Sequence, residues 1–142
     1  MKRLTAVLAK SAQLMASRYP IRQEGLQYDC PLTLAKRRNL ALQIAGRLPF
    51  GRPDAALPHI LHVGVTTLCN LRCVACPTGT GALGRPGEHL DFDVYKRTMD
   101  ELRDAVMFVL FWDWGEPLLH PRLPEMIEHA GRGGAMTVVS TN

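Results

Sequence analysis

Apolar residues recur at helical spacing near the start of the chain. Leu4, Val7, Leu8, Leu14 and Met15 share a face over residues 3–18. Leu34, Leu40, Ile44 and Leu48 repeat the pattern further on. Pro31 suits a first helical turn, so a second helix is expected from Pro31 to the Gly46–Pro49 region. PFGRPDAALP, residues 49–58, then holds three prolines and reads as a linker. Beyond it the period changes. HILHVGVTT, residues 59–67, is short and β-branched and reads as a strand. LDFDVYKRTMDELRD reads as a helix, with Asp91 as N-cap and Phe92, Tyr95, Met99 and Leu102 on one face. AVMFVLFW, residues 105–112, is a continuous apolar run, as in a strand covered on both faces. LPEMIEHAGRGG carries Leu123, Met126, Ile127 and Ala130 on one face, with Gly131 as its stop. AMTVVS, residues 135–140, is the third strand. The order β-α-β-α-β argues an α/β fold with a parallel sheet and right-handed crossovers.

Charge divides the chain where the pattern changes. Residues 1–52 carry ten Lys/Arg and two Asp/Glu, whereas residues 53–142 carry seven and eleven. The first 55 residues are therefore read as a basic helical arm ending in the proline-rich linker, and residues 56–142 as the core. The basic excess fits a solvated helix face. Only Tyr19, Tyr28 and Phe50 lie among these basic residues, too few to stack bases, so nucleic acid is not expected as a partner. No apolar run reaches spanning length, and Lys10 interrupts the apolar stretch at the start. A cytoplasmic location follows by default. Three strands cannot close a barrel, and the chain stops where a loop and helix would come next. It is expected to be the front part of a longer enzyme or a truncated product.

The candidate chemistry lies in TLCNLRCVACPTGTGALG, residues 67–84. Its second half matches G-x-G-x-x-G. A dinucleotide loop needs a strand directly before it and a helix opening within it. Here Pro77 precedes the glycines and Pro86-Gly87 follow, so the match is accidental. Its first half holds Cys69, Cys73 and Cys76; the fourth cysteine, Cys30, reads as a buried small hydrophobe or a helix-start residue. Three thiolates on one loop can converge on a metal. Zinc with His62 or His89 as fourth ligand, an iron–sulfur cluster with one iron lacking a protein ligand, and three metal-free thiols all remain open on spacing.

Cys69-Asn-Leu-Arg-Cys73-Val-Ala-Cys76 resembles the C-x3-C-x2-C signature of the radical S-adenosylmethionine (radical SAM) superfamily. Phe111-Trp-Asp-Trp-Gly-Glu-Pro-Leu-Leu-His-Pro121 resembles its second-strand Gly-Gly-Glu motif, and Val139-Ser-Thr-Asn142 its third-strand Thr-Asn-Gly. The resemblance implies an incomplete TIM-like (β/α) barrel of three parallel strands, preceded by the helical arm. It implies that Cys69, Cys73 and Cys76 hold a [4Fe–4S] cluster whose open iron is chelated by SAM. Reductive cleavage would yield a 5′-deoxyadenosyl radical that abstracts hydrogen from a substrate. Glu116 would accept a hydrogen bond from the SAM ammonium, Gly115 would let the backbone approach, and Ser140 and Asn142 would contact SAM. Ala75 stands where many members carry an aromatic residue and would meet adenine through its backbone. Trp114 replaces the first glycine of Gly-Gly-Glu, a form that resembles SPASM-type members. A peptide substrate and an electron donor such as flavodoxin or ferredoxin are the implied partners. The alternatives are a non-catalytic zinc or iron–sulfur module and an inactive fragment. Of the neighbours, Asp113 is read as a turn cap, and Trp112 and Trp114 as core or site wall. His120 is read as a turn residue, and Asn70 as bonded to nearby backbone.

Overall fold

The computed structural model describes residues 18–23, 26–48 and 51–142. The helix expected over residues 3–18 lies, apart from Arg18, outside the described residues. Arg18 instead opens a strand. β1 (Arg18–Gln23) and β2 (Leu26–Pro31) pair antiparallel, with Arg18 opposite Pro31 and Gln23 opposite Leu26. An all-helical arm is therefore incorrect for this stretch. Tyr19 and Ile21, then Leu26, Tyr28 and Cys30, recur every second residue around Glu24-Gly25, which is a hairpin pattern.

α1 (Leu34–Ala45) begins three residues later than expected, because Pro31 closes β2. Thr33 is the cap, its hydroxyl accepting from the Lys36 N–H at 3.2 Å. The expected apolar stripe faces inward only in part: Leu40 packs against Cys30, Leu32 and Met107, whereas Leu34 is 84% exposed and Leu48 is also exposed. The buried residues of α1 are Lys36 and Asn39. Asn39 pairs with Leu57 like a strand residue, accepting from its N–H and donating to its carbonyl, both at 2.9 Å.

The core sheet has β4 (Phe108–Phe111) between β3 (Ile60–Val63) and β5 (Met136–Val139), all parallel. The expected order β-α-β-α-β is observed. Among the described residues this sheet is open, with three strands and no barrel. Each strand is shorter than the apolar run that announced it. Ala105 and Val106 donate to the Leu102 carbonyl, and Met107 to that of His59, so strand pairing begins only at Phe108. α2 (Phe92–Leu102) starts on Asp91, which accepts from the Val94 N–H at 2.9 Å. α3 is Leu123–Arg132. Both helices cover one face of the sheet, burying Tyr95, Met99, Met126 and Ala130 against Val63, Val109 and Phe111. The Tyr95 hydroxyl donates to the Met126 carbonyl at 2.8 Å.

α3 does not stop at Gly131. Gly133 is the C-cap, and Gly134 takes φ +69°. Ala135 N–H bonds the Ala130 carbonyl and Gly134 N–H that of Gly131, the paired bonds of a Schellman ending. Lys36 completes it. Its ammonium donates to the carbonyls of Gly133 (3.1 Å) and Gly134 (2.8 Å), and the residue is 1% exposed. A cation here also opposes the negative end of the helix dipole. Burial pushes the Lys36 ammonium below its ordinary pKa, although charge interactions with Cys30 and Asp104 oppose this. Cys30 is a buried hydrophobe as expected, clustered with Leu32 and Met107. Lys36→Met is expected to cost about 1–3 kcal/mol, because two half-buried carbonyls lose the ammonium donor and Gly134 keeps only the weak Cys30 thiol contact. Urea unfolding checks this, and an unchanged midpoint would contradict the capping role.

Candidate functional site

The three segments that follow β3, β4 and β5 meet at the C-terminal edge of the sheet. The cysteine loop is an excursion closed at its neck. Thr66 Oγ1 donates to the Glu88 carbonyl (2.9 Å) and accepts from the Leu68 N–H (3.1 Å). Thr67 N–H also bonds Glu88, and Leu90 N–H returns to Val65 at 2.8 Å. Between these ties the chain from Leu68 to Arg85 is turns and loop. Gly79 to Gly84 opens no helix, as the misplaced prolines predict; the next helix begins at Phe92. Gly79 serves packing: a Cβ there would lie 2.5 Å from the Cys73 backbone N and O.

The turn after β4 locks onto that loop. Glu116 N–H donates to the Leu68 carbonyl at 2.8 Å. Gly115 permits this approach, since a Cβ on it would strike the Thr66 carbonyl and lie 2.9 Å from that of Leu68. Thr78 Oγ1 donates to the Trp114 carbonyl on the outer side.

Glu116 is 4% exposed and joins β4 to β5. Its Oε1 accepts from Leu118 N–H (3.0 Å) and the Thr141 hydroxyl (2.7 Å), and its Oε2 from Asn142 N–H (2.9 Å). Burial pushes this carboxyl up. The bonds from Leu118, Asn142 and Thr141 outweigh it and hold the group below the usual carboxylate range. A carboxylate has about four acceptor positions, so Oε2 keeps one for a further donor. Thr141, which sequence reasoning missed, is thus part of this junction.

Between these segments lies an open cleft of about 580 Å³, lined by Cys69, Cys73, Trp112, Asp113, Gly115, Glu116 and Ser140–Asn142 among others. Six of the eight expected site residues therefore line one space. Ala75 and Cys76 are not among the lining residues. Ala75 is exposed, Cys76 is half-buried, and the N–H groups of Gly79 and Thr78 hold the Cys76 thiol below the usual range. Asn142 reaches across the cleft, its amide donating to Asn70 Oδ1 at 3.0 Å and lying 3.8 Å from Cys69 Sγ. Asn70 thus bonds a side chain from β5's end rather than nearby backbone. Among the described residues the Asp113 carboxylate makes no capping hydrogen bond; it lies over Gly64. His120 is buried at its turn, with Nδ1 accepting from Arg122 N–H and Nε2 therefore donating to the Leu90 carbonyl.

Among the described residues no group of three or more His, Cys, Asp or Glu is gathered closely enough to hold a metal ion. The donor set nonetheless suits an iron–sulfur cluster by its chemistry. Cys69, Cys73 and Cys76 are free thiols on one loop, Cys76 is biased toward thiolate, and Cys69 and Cys73 face the cleft. No helix of the described residues is long and apolar enough to cross a membrane.

No protein-family model matches the chain. It is 29% identical over 84 residues to the tungsten-containing aldehyde ferredoxin oxidoreductase cofactor-modifying protein of Pyrococcus furiosus, covering 58% of this chain and 23% of that protein. It is 31% identical over 85 residues to the AdoMet-dependent heme synthase of Methanosarcina barkeri, covering 60% and 24% respectively. The chain thus spans about a quarter of the length of these curated relatives. Among solved structures it is similar to BtrN in complex with AdoMet and 2-DOIA, with TM-score 0.47 and 25% identity over 61% of this chain and 36% of that one. The curated relatives support the radical SAM superfamily as the group to which this chain is related.

Proposed function

We propose that this chain forms the cofactor-binding part of a radical SAM enzyme. Cys69, Cys73 and Cys76 would hold a [4Fe–4S] cluster, and Gly115, Glu116, Ala75, Ser140 and Asn142 would hold SAM. One observation carries this: segments from three adjacent parallel strands, each bearing one motif, line a single cleft beyond the strands' C-terminal ends. Ligands of parallel α/β folds bind at that edge. When bound, cluster and SAM supply one-electron cleavage of SAM and hydrogen abstraction from a substrate. The protein's part is to bind and orient. Glu116, ionised and with one acceptor position left on Oε2, would take an ammonium N–H as a charge-assisted bond. Gly115 lets the β4 turn press on the root of the cysteine loop, which would hold the cluster ligands and Glu116 beside one another. Asn142 ties both to the end of β5. The Trp114-Gly-Glu-Pro form supports a SPASM-type member, with a peptide as substrate class and a flavodoxin or ferredoxin as electron donor.

Anaerobic reconstitution with iron and sulfide tests this. The reduced protein is expected to give a [4Fe–4S] EPR signal that SAM perturbs. A signal indifferent to SAM overturns the SAM assignment. One zinc and no sulfide would instead favour a non-catalytic metal module.

A further inference from the structure

The cofactor reading leaves one wall of the cleft unused. Trp112 and Asp113 form it, at the end of β4, on the side of the turn that precedes Gly115 and Glu116. The His62 ring stands edge-on to Trp112 at 5.3 Å between centroids and steadies it. Asp113 lies close over Gly64: a Cβ there would be 3.0 Å from Asp113 Oδ2, a tight contact that glycine avoids. Its carboxylate has no hydrogen-bond or ion-pair partner among the described residues. Glu116, by contrast, already accepts three bonds. Among the described residues lining the cleft there are two carboxylates and no Lys or Arg, although the chain as a whole is +4. A partnerless carboxylate and an indole that line one cleft, with no Lys or Arg among its described lining residues, suit recognition of an organic cation.

We propose that Trp112 and Asp113 form the substrate subsite of the cleft and select a substrate bearing an alkylammonium group. This rests on the cofactor reading for calling the ligand a substrate. The attraction itself needs no cofactor. The ammonium would pair with Asp113 while its methylenes lie against the Trp112 ring, and the neutral form of the same group would gain neither the ion pair nor the cation–π contact. Asp113 is a specificity residue here and takes no part in bond breaking. Both a free amine and a lysyl side chain carry this chemistry.

The test uses the chain in a Trp114→Phe background, so that indole fluorescence reports Trp112. The probes are n-butylammonium, a blocked Gly-Lys-Gly tripeptide, and the same tripeptide acetylated on the lysine. Either charged probe is expected to quench Trp112, and Asp113→Asn to weaken that binding about tenfold. Tighter binding of the lysyl tripeptide than of n-butylammonium assigns a peptide source, and equal binding a small amine. Equal binding of the acetylated and free lysyl peptides overturns the proposal, as does full retention of affinity in Asp113→Asn. The cluster EPR signal separates the two readings. Reconstituted Asp113→Asn is expected to keep its SAM perturbation. If that is lost in the variant but present in the parent, Asp113 belongs to the SAM site and the subsite assignment falls. If the parent itself shows no SAM effect, the cofactor reading falls, and the fluorescence result still decides whether the cation site exists.

Discussion

The Cys73→Ala chain is expected to retain no reconstituted iron–sulfur cluster while keeping its fold. The two halves of this prediction rest on different observations. Cys73 is exposed, and the interactions that shape its loop run through its backbone: its carbonyl accepts from Cys76 N–H at 3.1 Å, and Gly79 packs on its N and O. Alanine preserves all of these, so the cost to stability should stay within about 0.5 kcal/mol. The thiolate, however, is a ligand that no neighbouring group can replace, and a cluster held by two cysteines of three is not retained. Cys30→Ala should behave in the opposite way. Cys30 is 1% exposed and packs with Leu32 and Met107, far in sequence from the loop, so its loss should destabilise by about 1–2 kcal/mol and leave iron content unchanged. Iron and sulfide per chain, measured beside a urea midpoint, separate the two cysteines. Full iron in Cys73→Ala would remove it from the ligand set.

Glu116→Gln is expected to lower stability by about 2–3 kcal/mol at neutral pH and to weaken SAM binding. The amide has the shape of the carboxylate but not its acceptors. Whichever way it is turned, its NH₂ meets a donor, the Asn142 N–H on one side or the Leu118 N–H and Thr141 hydroxyl on the other. The ends of β4 and β5 then lose their common anchor. The effect depends on pH in a defined direction. Burial raises the Glu116 carboxyl, but the three hydrogen bonds prevail, and its folded pKa lies below the unfolded value. Its stabilisation is therefore complete above the ordinary carboxylate pKa and is lost as pH falls through the lowered folded value. The gap in melting temperature between wild type and Glu116→Gln should be constant near neutrality and close in acid. A gap that persists unchanged into acid would mean that the carboxylate charge is not what holds the junction.

Much of the core was legible from local pattern. Asp91 caps α2, Tyr95 and Met99 face inward, and the strand order follows from alternation of apolar runs with amphipathic segments. These features depend on neighbours within a few residues, which sequence displays directly. The rejection of the glycine motif was equally local, because Pro77 and Pro86 exclude the strand and helix it requires. The N-terminal third was less legible. Leu34 and Leu48 looked like a core stripe, yet α1 buries Lys36 and Asn39. Their partners, the carbonyls at the end of α3 and the backbone of Leu57, lie 97 and 18 residues away, at Gly133 and Leu57. Hydropathy scores a lysine as exposed, and only a distant set of unpaired carbonyls makes its burial favourable.

The same division runs through the site. Residue types and their order marked the candidate segments: three thiols on one loop, a glycine before an acid after β4, and a polar Ser-Thr-Asn end after β5. Only the tertiary structure decided that parallel pairing of β3, β4 and β5 brings these segments to one edge. There Gly115 can press on Thr66, and Glu116 can gather Thr141 and Asn142. It also left the Asp113 carboxylate without a hydrogen-bond or ion-pair partner among the described residues, close to Gly64 in the same cleft. Cys69 and Glu116 are 47 positions apart in sequence, and Glu116 and Asn142 a further 26. Contacts across such separations carry no periodic signal, because they arise from how strands pair in space rather than from how residues follow one another along the chain.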